Sequence, residues 1–320
     1  MLIVTNGDMA AERIRTLGLD AETLPWRDVL HDGPVRLAPT LQAQSAARAR
    51  VLAAMSGRPE AEVAADMAAR DALFLDRLGC DRVELWFEHD LYDQLQLVQI
   101  LDAAAAAGEA ADLRIVQTDA HLTALDDAAF RALADAAAPL PEAVLTEAQA
   151  VWAAFTAPDP TALDRMSTET FTLPHLGPAL RRLIAEYPDQ ITGLPASMAM
   201  AASFLMATPM TIAELFRETQ AAEDAAFMGD LSFAILIDGI AQCPSPLLQA
   251  ASGGPLAPVA PGGREAFAQR ATLTPFGLAV LTGAQNHLTA NGIDRWIGGV
   301  HLTTDACWAR SAETGRLALA

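Results

Sequence analysis

Residues 82–101 read Arg-Val-Glu-Leu-Trp-Phe-Glu-His-Asp-Leu-Tyr-Asp-Gln-Leu-Gln-Leu-Val-Gln-Ile-Leu. The run at 82–87 is mostly apolar and aromatic, which predicts a buried strand. From residue 91 onward, apolar side chains recur at the three- and four-residue spacing of one helix face, which predicts a helix over 91–107. Between the two lies Glu88-His89-Asp90, a run of ionisable residues at a strand-to-helix junction.

The same alternation of strand and helix extends to both sides of this segment. Strand-like runs at residues 1–5, 21–24 and 112–117 are separated by helical segments. This rhythm predicts an α/β fold, a Rossmann-like parallel sheet with helices on its faces, in a domain spanning residues 1–140.

After Pro139-Leu140-Pro141 the pattern becomes mostly helical, and we predict a second domain over residues 141–320. Two helices, a short apolar strand, a Pro/Gly-rich loop at 252–263 and a second strand follow the order of a winged helix. Residues 218–263 contain no arginine, although DNA readers need several basic contacts to phosphate. We therefore expect a winged-helix-like domain used for interaction or packing, with nucleic acid an unlikely partner.

The composition excludes several classes of protein. All 21 basic residues are arginine, so enzymes that require a catalytic or Schiff-base lysine, or a Walker-type lysine, are ruled out. The net charge of −19 opposes binding to phosphate backbones. The three cysteines have no metal or disulfide spacing, the N-terminus lacks a secretory pattern, and the apolar stretch 196–208 is too short for a membrane span. We expect a cytoplasmic protein with no membrane partner.

Polar residues follow each of the first three predicted strands. Because the carboxyl ends of parallel strands open on one edge of a sheet, where ligands bind, we expect these residues to form one site. The candidate catalytic residues are Asp8, Asp28, His31, Glu88, His89 and Asp90, and the candidate ligand-binding residues are Asn6, Gly7, Trp26, Arg27, Tyr92 and Asp93.

Several of these residues also have structural interpretations. Asp8 and Asp90 are typical helix N-caps, and Asp93 stands where a capping-box partner would lie. Arg27 can form an ion pair or clamp an anion, and Trp26 can belong to the core or stack on a ligand. The histidines and carboxylates together suit either general acid–base catalysis or a divalent metal.

Four motifs resemble the bacterial family known as domain of unknown function 1835, with its associated C-terminal domain. They are Asn-Gly-Asp at 6–8, Trp-Arg-Asp-Val-Leu-His-Asp-Gly-Pro at 26–34, Trp-Phe-Glu-His-Asp-Leu-Tyr-Asp-Gln-Leu-Gln-Leu at 86–97 and Arg-Trp-Ile-Gly-Gly-Val-His-Leu at 295–302. The resemblance implies the two-part architecture and a shared polar site, and it specifies no reaction.

Our first hypothesis is that the strand-end cluster binds, and by acid–base chemistry transforms, a small polar or phosphorylated metabolite. The alternative is a non-catalytic ligand sensor or protein-interaction module with a protein partner or a second copy of the chain. A DNA-binding regulator is the least favoured of the three.

Overall fold

The computed structural model describes residues 1–108 and 110–319. Its first part contains β1 (Leu2–Thr5), α1 (Asp8–Thr16), β2 (Glu22–Pro25), α2 (Leu41–Ser56), α3 (Glu60–Leu78), β3 (Arg82–Glu88), α4 (Leu91–Ala107), β4 (Asp112–Thr118), a 3₁₀ turn (Leu122–Ala124), α5 (Asp127–Asp135) and β5 (Ala138–Pro139). The five strands form one sheet in the order β2-β1-β3-β4-β5. The first four are mutually parallel, and the short β5 pairs antiparallel with β4. The predicted Rossmann-like α/β fold is confirmed; β5 was not predicted.

Helices cover both faces of this sheet. On one face Ile3, Trp86 and Val116 pack with Ile14 of α1 and Phe130 of α5. On the other face the alternate strand residues belong to the main core with α3 and α4. Val83 to Glu88 are all buried, which explains why β3 reads as a continuous apolar run instead of an alternating one.

The second part of the chain is built from helices and small antiparallel sheets. It contains α6 (Glu142–Thr156), α7 (Thr161–Met166), α8 (Leu176–Ile184), α9 (Ala196–Phe204), β6 (Met210–Thr211), α10 (Ile212–Ala222), α11 (Asp230–Ala241), β7 (Leu248–Ala250), α12 (Arg264–Ala268), β8 (Arg270–Leu273), α13 (Pro275–Leu281), α14 (His287–Asn291), β9 (Asp294–Ile297), β10 (Val300–Thr303), β11 (Trp308–Arg310) and β12 (Leu317–Leu319). Helices α6 and α8 pack against α4 of the α/β part. None of the described helices is long and apolar enough to cross a membrane.

The segment from α9 to β8 has the winged-helix arrangement. Three short strands pair antiparallel in the order β6-β8-β7, with α10 and α11 between β6 and β7. A capping box between Thr211 and Glu214 fixes the start of α10. Helix α11, at the position of a recognition helix, faces the α/β part, because Ser232 Oγ donates a 2.5 Å hydrogen bond to Asp32 Oδ2.

The β9–β10 hairpin lies against the end of α6. Gly298, in its turn, has φ of +56°, and a Cβ atom there would lie 2.2 Å from the carbonyl oxygen of Phe155. Its own carbonyl accepts the N–H of Val35 at 2.8 Å. The motif at 295–302 therefore needs glycine at position 298 because the hairpin turn closes tightly onto the end of α6. His301 stacks on Trp296 with ring centroids 4.3 Å apart, as a surface histidine.

Candidate functional site

The carboxyl ends of the four parallel strands meet at one edge of the sheet. The strand order reverses at β1, whose neighbours β2 and β3 are reached through helices on opposite faces. Ligands of open α/β sheets bind in the crevice at such a switch point. Asn6 follows β1 and lies beside Asp93 of α4, to which its Nδ2 donates at 2.8 Å. The residue that follows β1 is therefore in direct contact with the first turn of α4.

The start of α4 concentrates carboxylates. Asp90 is the N-cap of the helix, and its Oδ1 accepts the N–H of Asp93 at 3.1 Å, so the predicted cap is confirmed. Asp93 does not complete a capping box. Its Oδ1 accepts the N–H of Glu88 at 2.6 Å, which ties the helix back to the last residue of β3. Glu88, Asp90 and Asp93 are all buried, at 4%, 3% and 0% exposure.

Burial changes the acidity of two of these groups. Removal from water raises the pKa of Asp90 to about 7, and the neighbouring Glu88 carboxylate adds to the rise. Removal from water, together with Asp90 and Glu88, also raises the pKa of Asp93 well above its ordinary value. Because carboxylic acids in this range exchange protons near neutral pH, Asp90 is suited to acid–base work or to ligand binding.

Three histidines surround this group. His121 Nδ1 lies 2.6 Å from Glu88 Oε2, while Glu88 Oε1 accepts the N–H of Leu122 at 2.8 Å. The ring of His89 lies between those of His121 and His175, with centroid distances of 6.2 Å and 5.8 Å. His89 Nδ1 is buried and has no hydrogen-bond partner among the described residues. The site, called here the β3-edge cluster, consists of Glu88, His89, Asp90, Asp93, His121 and His175.

His121 and His175 were not predicted from the sequence. His121 comes three residues after β4, so the strand-end rule that identified Glu88 would have found it. His175 precedes α8 in the second part of the chain, and no local pattern points to it. Burial lowers the pKa of His175, and the neighbouring His89 lowers it further. The cluster therefore joins the two parts of the chain.

Two predicted residues of the loop after β2, Asp28 and His31, lie outside the β3-edge cluster. Asp28 is fully buried, and its Oδ1 accepts two hydrogen bonds from Arg48 of α2, at 2.9 Å and 2.8 Å. The same guanidinium donates to the carbonyls of Val29, Asp32 and Pro34. Asp28 therefore holds the loop to α2. This role of Arg48 was not predicted, because the residue lies in the middle of a helix and no local pattern points to it.

His31 packs away from the β3-edge cluster. Its ring contacts Tyr92 and Phe227 at centroid distances of 6.0 Å and 5.1 Å, and its Nε2 lies 3.5 Å from Asp32 Oδ2. Burial lowers the pKa of His31, which Asp32 only partly opposes. The two histidines predicted together thus belong to the same sheet edge but to different neighbourhoods. The hydroxyl of Tyr92 donates to the carbonyl of Asn6 at 3.2 Å.

The remaining predicted residues have structural partners. Arg27 forms a bidentate ion pair with the exposed Asp8, which lowers the pKa of that carboxyl. Trp26 is fully buried, donates to Gln99 Oε1 at 2.8 Å and stacks under Arg70. The prediction of Asp8 as an N-cap is wrong, because Asp8 is the first residue of α1 and its carboxylate is held by Arg27. The N-cap is Gly7, which has φ of 178°, an extended conformation open to any residue.

A separate cavity of about 690 Å³ lies between the two parts of the chain. Asp32, Val51 and Met55 line it from the α/β part, and Ser232, Ile235 and His287 are among the residues that line it from the other side. Its size falls within the range of small-molecule pockets.

No family model matches the chain, and no curated protein matches it.

Proposed function

We propose that the β3-edge cluster binds a small polar metabolite, including phosphorylated ones, and transforms it by acid–base chemistry. The observation that supports this most strongly is the grouping of His89, His121 and His175 beside the buried carboxylates of Glu88 and Asp90. These groups come from the ends of β3 and β4 and from the start of α8. Residues so distant in sequence that gather at the ligand-binding edge of an α/β sheet are typical of an active site.

His89 is the proton-transfer group in this proposal. Its Nδ1 lacks a hydrogen-bond partner among the described residues, and its ring lies between the two other histidines. Histidine is the side chain whose ordinary pKa best suits proton transfer near neutral pH. Glu88 orients His121, in the manner of a carboxylate that fixes the tautomer of an imidazole. Asp90, with its pKa raised to about 7, is a second group able to exchange protons.

A thermal-shift screen of nucleotides, sugar phosphates and polar metabolites tests this proposal. A ligand at 100 times its dissociation constant adds about 2.7 kcal/mol to the free energy of unfolding. We expect at least one class to raise the melting temperature of the wild type but not that of His89→Ala. The matched control is His301→Ala, which removes an exposed histidine of the β9–β10 hairpin and leaves the shift intact. A shift that persists in His89→Ala would contradict the proposal.

A second candidate function, a non-catalytic ligand sensor, is favoured by the cavity between the two parts of the chain. Its lining combines apolar side chains with a few polar ones from both parts, so a bound molecule would couple them. Ile235→Trp, at a partly exposed lining position, places a bulky indole in the cavity and narrows it. If the ligand shift disappears in Ile235→Trp and survives in His89→Ala, the sensor function replaces the catalytic one.

Membership of the chain in the domain of unknown function 1835 family is also proposed, on its four motifs. In support, the residues of the third motif carry most of the β3-edge cluster, and the glycine turn of the fourth closes the β9–β10 hairpin onto α6.

A further inference from the structure

Buried carboxylates elsewhere in the described residues are neutralised by arginine. Each of five buried acidic side chains outside the β3-edge cluster forms an ion pair with at least one guanidinium. The pairs are Asp28 with Arg48, Asp71 with Arg70, Glu84 with Arg82, Asp164 with Arg316, and Glu186 with Arg182 and Arg295. This pairing is expected, because an unpaired buried charge costs several kcal/mol.

The β3-edge cluster departs from this rule. Glu88, Asp90 and Asp93 form no ion pair with any arginine of residues 1–108 and 110–319. Their polar partners are backbone N–H groups, Asn6 and the ring of His121. Arg27, which the sequence suggested as an anion clamp, is held by Asp8. Within residues 1–108 and 110–319, these three buried carboxylates therefore lack the arginine partner that the other five have.

We propose that Glu88, Asp90 and His121 bind a divalent cation. One oxygen of each carboxylate and one ring nitrogen of His121 lie within 4.8 Å of one another. Ligand atoms about 2 Å from a common metal ion are separated by no more than about 4 Å, so small side-chain adjustments complete the coordination. The inference deepens the proposed function and rests on it, because a cation there gives an acidic site the means to hold a phosphorylated metabolite.

The donor set selects the kind of cation. One imidazole and two carboxylates suit first-row ions such as Zn²⁺, Mn²⁺ and Fe²⁺, whereas Ca²⁺ takes six to eight oxygens. His121 has a side-chain exposure of 43%, so one side of the ion would face solvent or a ligand. Three protein ligands with an open position are characteristic of catalytic metal sites. Asp93, through its N–H to Asp90, would orient one of the ligands.

Isothermal titration of metal-stripped, full-length protein with ZnCl₂ and MnCl₂ tests this inference. We expect one equivalent to bind the wild type, and affinity to fall at least about 100-fold in Asp90→Asn and in His121→Ala. Asparagine is as good an N-cap as aspartate, and circular dichroism of both variants checks that they are folded. His301→Ala is the control, because His301 and Asp294 form a second histidine–carboxylate pair, 2.7 Å apart, on the surface. It is expected to bind as the wild type does.

Two results would overturn the cation inference. One is the absence of binding to the wild type, and the other is equal affinity in the wild type, Asp90→Asn and His121→Ala. The metabolite screen separates this failure from that of the proposed function. A His89-dependent ligand shift in metal-stripped protein would leave the proposed function standing without the cation. If one equivalent of cation binds but no metabolite shifts the melting temperature, the cation inference stands and the proposed metabolite binding is contradicted.

Discussion

Replacement of Asp90 by asparagine is expected to stabilise the metal-free protein at pH 8. Asp90 is 3% exposed and has no arginine partner among the described residues, so its negative charge is a cost to the folded state. Asparagine and aspartate are equally good N-caps, so the hydrogen bond to the N–H of Asp93 survives the change. The substitution removes the charge and leaves the local geometry.

The magnitude follows from the pKa. Burial raises the pKa of Asp90 from 3.8 to about 7. Each unit corresponds to about 1.4 kcal/mol, so ionising Asp90 costs the folded protein up to about 4 kcal/mol. Because the pKa of Asp90 is raised in the folded state, the protein keeps its full stability below the unfolded pKa of 3.8. It loses stability as the pH rises from there through 7, where folded Asp90 ionises. The gain in Asp90→Asn is therefore about 1–4 kcal/mol at pH 8, and it disappears at pH 4.

Urea unfolding at pH 4 and pH 8 measures the effect, with Asp28→Asn as the matched control. Asp28 is equally buried but paired with Arg48, so the same chemical change leaves a guanidinium unpaired. Breaking a buried pair costs about 3–5 kcal/mol, and Asp28→Asn is expected to lose that amount. At pH 8, Asp90→Asn is therefore predicted to raise the free energy of unfolding and Asp28→Asn to lower it. A destabilised Asp90→Asn at pH 8 would refute the reasoning about the cluster.

Three further predictions concern other parts of the molecule. Because burial lowers the pKa of His31, its neutral form stabilises the fold above the unfolded pKa of about 6.5, and this stability is lost as pH falls. His31→Phe should therefore flatten the decline in melting temperature between pH 7 and pH 5; an unchanged slope counts against this assignment. Gly298→Ala should lower the free energy of unfolding in urea by at least about 1–3 kcal/mol, because the new Cβ meets the carbonyl of Phe155. Gly315→Ala, also at positive φ but in open space, should lower it by less. Gel-shift assays at low salt should show no DNA binding, because α11 faces the α/β part; a salt-sensitive shift would contradict this packing.

The sequence predicted the parallel sheet well because its signals are local. Strands β1 to β4 and helix α4 start and end within about two residues of the predicted bounds, since apolar runs, glycines and the Asp90 cap lie next to one another in the chain. The two-residue β5 has no comparable run, and only its pairing with β4 defines it as a strand.

The site was predicted in part, because a strand end identifies an edge of the sheet and not the direction of the loop that follows. Glu88 and Asp90 reach the cluster because α4 begins at once and fixes them. Asp28 follows β2 at the same edge, but Arg48 of α2 draws it into the core. His175 enters the cluster through the packing of α8 on α4, a contact between distant segments that no pattern in the sequence encodes.

Anomalous diffraction tests most directly the central claim that Glu88, Asp90 and His121 of the β3-edge cluster bind a divalent cation. Crystals of metal-stripped protein soaked in ZnCl₂ would be measured above and below the zinc absorption edge. We predict one strong anomalous peak about 2.0–2.2 Å from oxygens of Glu88 and Asp90 and from a nitrogen of His121. The absence of a peak there, or peaks confined to exposed pairs such as His301 with Asp294, would contradict it.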